Sequence, residues 1–441
     1  MSKVLLIGDI VVDVTLKSNH HATKLRLGGI VHAARGLWAQ NIPYTVGYIA
    51  PNYLDNQILD YLKAHGCEEV VKIGSVSGAP YVFLIQEPKE IGDQGYEFLL
   101  REEIKVKLIE EAIDYLGKKS FLETLLISGN YKQAHVLAKI TGNIHMDVAN
   151  NIADLDFLAN LKRKVDTIFL STSSAMFQKY YQNNFNDFTN LFEPYAKKIV
   201  LKENRGGSRG FEFETNELFL AAAQTGPIQH SVGVGDVFDT CFISNQSSMS
   251  NTNALVLSSW IACEYASTTF PDDFKKAVER TMKSNITELG NLGGVSLAWE
   301  ERQNINIYIA APDFDHVDKT LIDLVENSLL YHNFQPRRPI VENGLMEAGA
   351  DKRRKQDLFG KDMTLLKSCS ILVAVLLYND PGTLIEIGLA SAMGMPTFVF
   401  DPYSQAENCM LTELPQLISS DFDEILSEIF IASTKLKTNE K

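Results

Sequence analysis

Glu386 sits in an awkward place for a carboxylate, within Leu384-Ile385-Glu386-Ile387-Gly388-Leu389-Ala390. The stretch reads as a helix that is apolar on most faces. A carboxylate buried there costs several kcal/mol unless it is paired, or else its pKa rises. Perturbed carboxylates in clefts are suited to nucleophilic or acid–base work. The plainer alternative puts Glu386 on a narrow solvent stripe with Thr383, Ala390 and Met393. Asp380-Pro381 reads as a helix N-cap followed by proline at the first helical position. The continuous apolar run Ile371–Leu377 precedes it and suits the centre of a parallel sheet. Open α/β sheets bind ligands beyond the carboxyl ends of their strands, which is where Glu386 would lie. Tyr308, in Ile307-Tyr308-Ile309-Ala310-Ala311-Pro312, and Asp362, in Lys361-Asp362-Met363-Thr364, belong to the same edge. Each also has a structural reading, as a core tyrosine and as an acid in the opening turn of a helix.

A second chemical signal is Ser231-Val232-Gly233-Val234-Gly235-Asp236-Val237-Phe238-Asp239. Glycines let backbone N–H groups approach a phosphate, and a helix N-terminus favours negative charge. An aspartate there could take a proton from an attacking hydroxyl in phosphoryl transfer. A tight strand-to-helix turn with Asp236 as cap explains the same residues. The basic run Lys352-Arg353-Arg354-Lys355, with Arg337 and Arg338, reads either as a solvated face or as a phosphate anchor.

The 441 residues carry 41 Lys+Arg and 55 Asp+Glu, a formal charge of −14. That balance opposes bulk nucleic-acid binding. No apolar run is long enough to span a bilayer, so no membrane partner is expected. Cys67, Cys241, Cys263, Cys369 and Cys409 are scattered. They form neither a disulfide framework nor a metal-ligand pattern, and no metal-ligating residues are assigned. Met1-Ser2-Lys3 runs into strand-like Val4–Ile7 without signal-peptide architecture, and a cytoplasmic location is expected.

The elements that must position these residues alternate between short apolar runs and helix-period segments. Val4–Ile7, Thr45–Ile49, Thr124–Ile127, Ile144–Asp147, Thr167–Leu170 and Lys198–Leu201 read as buried strands. Ile30–Gln40, Asn56–His65 and Asp154–Arg163 read as helices. The fold class is α/β, with parallel sheets covered on both faces. Tyr81–Glu87 and Tyr96–Leu100 read as a hairpin in a small antiparallel lid. Helices at Asn253–Thr268 and Phe274–Lys283 close the first unit. Gly290-Asn291-Leu292-Gly293-Gly294 breaks the pattern, and the boundary is placed near residues 290–303. Strands then restart at Ile305–Ala310, Ile371–Leu377 and Thr397–Phe400, with helices at about Val317–Tyr331 and Thr383–Met393. The tail Thr434–Lys441 is expected to fray.

Residues 1–285 resemble the ribokinase-type (PfkB) carbohydrate kinase family. Gly8-Asp9-Ile10-Val11-Val12-Asp13, Leu27-Gly28-Gly29 with His32-Ala33-Ala34-Arg35, His145-Met146-Asp147-Val148-Ala149-Asn150, Lys202-Glu203-Asn204-Arg205-Gly206-Gly207 and Gly233-Val234-Gly235-Asp236 carry the likeness. The resemblance implies a three-layer domain with a small β lid over residues 1–290. It implies a substrate site at Asp13, Gly28, Gly29 and His32, and an anion hole for ATP at Gly233, Val234 and Gly235. Asp236 is the implied base, and ATP and Mg2+ are the implied cofactors. The sequence departs from the family at three places. His32 stands where asparagine is usual. Ser171-Thr172-Ser173-Ser174 lacks the family's carboxylate. His230-Ser231 replaces an upstream aspartate. Kinase activity therefore stays an open question, and a ligand-sensing domain is the alternative.

Residues 304–430 resemble the nucleoside 2-deoxyribosyltransferase family through Asn306–Pro312, Asp362 and Asn379-Asp380-Pro381-Gly382-Thr383-Leu384-Ile385-Glu386-Ile387-Gly388. The resemblance implies a flavodoxin-like doubly wound parallel sheet, placed at 303–435, that needs no cofactor. It makes Glu386 the nucleophile on a nucleoside's anomeric carbon and Tyr308 its orienting partner. Asp362 and Asp380 handle the leaving base. Asn408 matches an asparagine that reaches a neighbouring subunit's sugar, which implies a homo-oligomer. The expected substrates are nucleosides, nucleotides or sugars, and the expected chemistry is N-glycosidic cleavage or deoxyribosyl transfer. The other reading is a regulated effector that hydrolyses nucleotides or NAD.

Overall fold

The computed structural model describes residues 3–17, 22–78, 80–99, 102–129, 131–149, 151–347 and 349–439. Leu100 at the end of the expected hairpin, Asn150, Lys441 and its neighbour at 440 lie outside the described residues. The chain divides into two compact units. Unit 1 is Met1–Glu90 with Gln94–Ser296, and unit 2 is Ile91–Asp93 with Leu297–Lys441.

Unit 1 is built on a large sheet. Its strands in chain order are β1 (Val4–Asp9), β4 (Tyr44–Ala50), β5 (Cys67–Ser77), β8 (Lys105–Leu108), β9 (Glu123–Ile127), β10 (Asn143–Asp147), β11 (Val165–Ser171), β12 (Ala196–Lys202), β13 (Ser208–Glu212) and β14 (Glu217–Ala221). Their spatial order is β14-β13-β12-β11-β10-β9-β1-β4-β5-β8. The run from β12 to β5 is parallel, and antiparallel strands close both edges. Val4, Leu5, Leu6 and Ile7 are all buried, as a central strand covered on both faces requires. One core cluster joins Leu6, Val46 and Leu125 to Ala33 and Leu37 of the Val31–Ala39 helix and to Phe238 and Phe242 of the Val234–Asn245 helix.

A separate four-stranded sheet forms from β2 (Val12–Thr15), β3 (Lys24–Leu27), β6 (Val82–Ile85) and β7 (Glu97–Phe98), in the order β3-β2-β6-β7. The expected hairpin is its β6–β7 pair. The sheet is mixed rather than purely antiparallel, because β2 and β6 run parallel. Each leaves the main sheet from one of two strands, β1 and β5, that point the same way. The expected Asp154–Arg163 helix shrinks to Asp156–Ala159, and Lys162, at φ 53°, turns the chain away from helical geometry.

Unit 2 carries β15 (Asn306–Ala310), β16 (Gln335–Arg337), β17 (Ile371–Val375), β18 (Thr397–Phe400) and β19 (Leu417–Ser419), all parallel in the order β16-β15-β17-β18-β19. This is a flavodoxin-like sheet, with β17 buried throughout at its centre. As far as Asn439 the tail is helical where fraying is expected. The Phe422–Asn439 helix buries Ile425, Leu426, Ile429 and Phe430 at helical spacing, and Lys437 Nζ lies 2.7 Å from Glu301 Oε2. Among the described residues no helix is long and apolar enough to cross a membrane.

Candidate active sites

In unit 2 the helix after β17, Pro381–Ala392, packs one face against the core. Thr383, Ile387 and Ala390 are buried, whereas Ile385 is 61% exposed. Thr383 and Ala390, the neighbours of the imagined solvent stripe, thus mark an inward face. Glu386 is half-buried, and Tyr308 Oη donates to its Oε1 over 2.6 Å. Tyr308 is fully buried on β15, next to β17 in the sheet. Burial pushes the Glu386 carboxyl up to about 7. The Tyr308 bond works against that rise, while Asp362 and Asp380 add to it. The Tyr308 phenol is raised in turn, by burial and then by Glu386.

Asp380 is the expected N-cap. Its Oδ2 accepts from Thr383 N over 2.8 Å and from Thr383 Oγ1 over 3.0 Å. Asp362 does not open its helix. It lies well inside Lys352–Lys367, whose cap is Asp351. The helix starts earlier than expected because the basic run is itself helical. That position excludes the helix-terminus explanation of Asp362 and leaves its electrostatic coupling to Glu386 and Tyr308. Asn343, which sequence reading missed, donates from Nδ2 to Asp362 Oδ1 over 2.9 Å. Nothing in its sequence context, Val341-Glu342-Asn343-Gly344, signals this, since the two residues come from different helices.

Asn408 caps the Cys409–Glu413 helix, accepting from Met410 N over 2.9 Å. It lines a cavity of about 570 Å³ with Asn379, Leu384, Gly388 and Gln405. The cavity and Glu386 lie on adjacent faces of one helix, and Glu386, Tyr308 and Asp362 are not among its walls. The structure therefore brings Tyr308, Glu386, Asp362 and Asp380 together and leaves Asn408 beside them, across the helix. The basic run does not converge. Lys352–Lys355 is an exposed helical turn, Arg337 pairs with Glu342, and Arg338 is bound by Asp313, Asp323 and Glu326.

In unit 1 the expected substrate residues do converge. His32 Nε2 lies 2.9 Å from Asp13 Oδ2, and its Nδ1 is 2.7 Å from Tyr265 Oη. Burial lowers the imidazole to about 4 despite Asp13, so it is neutral at pH 7. A Cβ at Gly28 would strike the Asp13 carboxylate at 2.2 Å, and one at Gly233 would strike the His32 ring at 2.2 Å. Gly29 adopts φ +62° and Gly233 φ +77°, conformations that favour glycine. Gly233 caps the Val234–Asn245 helix without any side-chain bond, so the turn at Val234 and Gly235 keeps its amides free of side-chain caps. Asp236, in the first turn, is pushed up to about 8 by burial and then by Asp147, with Lys202 opposing and Asp13 adding. Lys202 at the end of β12 holds both oxygens of Asp239, at 2.8 and 3.0 Å. Sequence reading gives Lys202 and Asp239 no role of their own. The signals are present: a lysine closing the apolar run Ile199-Val200-Leu201, and an aspartate three residues after Asp236, on the same helix face.

Residues 307–425 match the family model described as nucleoside 2-deoxyribosyltransferase. No curated protein matches the chain. Among solved structures, adenosine kinase from Sinorhizobium meliloti is 14% identical, with a TM-score of 0.50, covering 63% of this chain and 99% of that one. Ribokinase from Arabidopsis thaliana, complexed with ribose and ATP, is 12% identical at a TM-score of 0.47 and covers 65% and 100%. Phosphofructokinase-2 from Escherichia coli, in complex with potassium, is 12% identical at 0.48 and covers 64% and 100%. At these identities the likeness concerns the fold. The chain joins a ribokinase-type fold to a segment of the nucleoside 2-deoxyribosyltransferase type.

Proposed function

We propose that the C-terminal domain, residues 303–435, cleaves the N-glycosidic bond of a nucleoside or nucleotide through Glu386. The observation that carries this reading is the Tyr308–Glu386 pair on the inward face of an otherwise apolar helix. Ionised Glu386 attacks C1′ of the sugar. The C1′–N bond breaks, and its electron pair leaves with the base, which takes a proton or hydrogen bond from Asp362 or Asp380. A second base or water then attacks C1′ and releases the carboxylate, with retention of configuration over the two steps. A base acceptor gives transfer and water gives hydrolysis. Met410, 63% exposed, lines the cavity beside Asn408, and Ile385, 61% exposed, lies on the same helix as the cavity's Leu384 and Gly388. They favour a homo-oligomer in which that asparagine serves a neighbouring site.

The test is incubation of the chain with deoxynucleosides, deoxynucleotides and NAD, with and without a second base, followed by chromatography. Base release is expected from the wild type and not from Glu386→Ala. Equal release by both refutes the nucleophile assignment.

We assign residues 1–290 to binding of a sugar or nucleoside together with ATP, with Asp236 as the base if phosphoryl transfer occurs. A second reading, in which this domain senses its ligand and regulates the glycosidase, is favoured by the carboxylate-free Ser171–Ser174 stretch. Loss of ATP consumption in Asp236→Asn identifies a kinase, and ligand-dependent base release without ATP consumption identifies the sensor.

A further inference from the structure

Magnesium, which the ribokinase-type resemblance implies, does not fit the residues at the phosphate turn. Two of the carboxylates at the turn, Asp239 and Asp147, already face a cation. Lys202 Nζ lies 2.8 and 3.0 Å from the Asp239 oxygens and 3.4 Å from Asp147 Oδ2. The Ser171–Ser174 stretch offers only hydroxyls, and those of Ser171 and Ser173 bond each other while Ser174 caps the Ala175–Tyr180 helix. Among the described residues no three His, Cys, Asp or Glu side chains are grouped to hold a metal ion.

We propose that the Lys202 ammonium is the cation that meets the terminal phosphate of a nucleotide in unit 1, so that phosphate binding there does not depend on magnesium. The inference rests on the reading of unit 1 as a nucleotide-binding domain. Three observations support it. The ammonium lies against the turn itself, since a Cβ built on Gly235 would be 3.2 Å from Nζ. It stays charged: burial opposes the charge, but Asp147 and Asp239 outweigh burial and raise the pKa. It is also reachable, with the side chain 13% exposed. An ammonium has three N–H donors. Two positions are well matched by Asp239, and the 3.4 Å approach to Asp147 is the loosest contact. That donor is the one a phosphate oxygen can take, as a charge-assisted bond between the turn's amides and Lys202.

The test is calorimetric titration of the full-length chain with ATP and, separately, with inorganic tripolyphosphate, in EDTA and in excess Mg2+. Wild type is expected to bind both in EDTA, with affinity little changed by magnesium. Lys202→Met is expected to bind both about 10- to 100-fold more weakly in EDTA. The double variant Lys202→Met/Asp239→Asn removes the carboxylate that the single variant leaves uncompensated, and the same loss is expected in it. Circular dichroism of each variant guards against misfolding. Wild-type binding that requires magnesium overturns the inference and leaves the nucleotide reading standing. Equal binding by wild type and both variants in EDTA overturns it as well. Failure of wild type to bind either ligand in either condition overturns the nucleotide reading together with the inference.

Discussion

Tyr308→Phe removes one oxygen from a fully buried ring and leaves its packing in place. The lost hydrogen bond, 2.6 Å to Glu386 Oε1, favours the ionised carboxylate. A bond to a charged group contributes about 1.5–3 kcal/mol. At about 1.4 kcal/mol per pH unit, the carboxyl should titrate roughly 1–2 units higher than its present value. That value is about 7. At pH 7 wild type therefore has about half its nucleophile ionised, and the variant about 1–10%. The assay is kcat/KM for base release across pH 5–9. Wild type should rise with pH through an apparent midpoint near 7, the free-enzyme pKa of Glu386. The variant should lose roughly 5- to 50-fold at pH 7 and recover most of the loss by pH 9, its midpoint displaced upward. A loss of the same size at every pH, with an unmoved midpoint, refutes the electrostatic role assigned to Tyr308. No loss at all refutes the pairing.

Other predictions concern residues around the two sites. Asp236→Asn should raise the melting temperature little at pH 5 and more at pH 8. The native carboxyl is held at about 8 by burial, so the unfolded chain gives up this proton from about pH 4 while the folded chain keeps it, and stability falls between about pH 4 and 8, by at most a few kcal/mol. Asn343→Ala should lower kcat/KM for base release roughly 10-fold without a matching loss in melting temperature, because it frees Asp362 Oδ1. Gly233→Ala should destabilise the chain by about 1–3 kcal/mol in chemical denaturation, having both a φ of +77° and the His32 ring against it. Gly388→Ala should stabilise by up to about 1 kcal/mol in the same measurement. A Cβ there meets nothing within 4 Å in this chain. A clear loss of base release accompanying that gain would mean the cavity is occupied in the working enzyme.

The central strands of the two large sheets are legible because a central parallel strand must be apolar on both faces, as Val4–Ile7 and Ile371–Val375 are, whereas edge strands such as Gln335–Arg337 and Glu217–Ala221 are not. The Asp380 cap is legible for a similar reason, since aspartate before proline leaves few alternatives. Helix starts set by charged residues are not. Lys352-Arg353-Arg354-Lys355 has no apolar period, so sequence pattern starts the Lys352–Lys367 helix too late and puts Asp362 at its opening. The Phe422–Asn439 helix shows the same weakness from the other side, because its polar last turns continue a helix held by buried Ile425, Leu426, Ile429 and Phe430. Contacts between distant segments leave no local trace at all. Asn343 and Asp362, or Lys202 and Asp239, meet only after the chain has folded. The inward turn of Glu386 is visible as an anomaly, a charge among leucines and isoleucines, but its partner comes from a strand 78 residues away.

The contact between position 28 and the Asp13 carboxylate has an evolutionary corollary. Any side chain at Gly28 meets that acid at 2.2 Å, so a change at 28 requires the Asp13 carboxylate to leave its place beside His32. A lineage that gave up Asp13 would remove that requirement, and larger residues could then accumulate at 28. A larger residue at 28 in a descendant would thus mark a carboxylate that has moved or been lost.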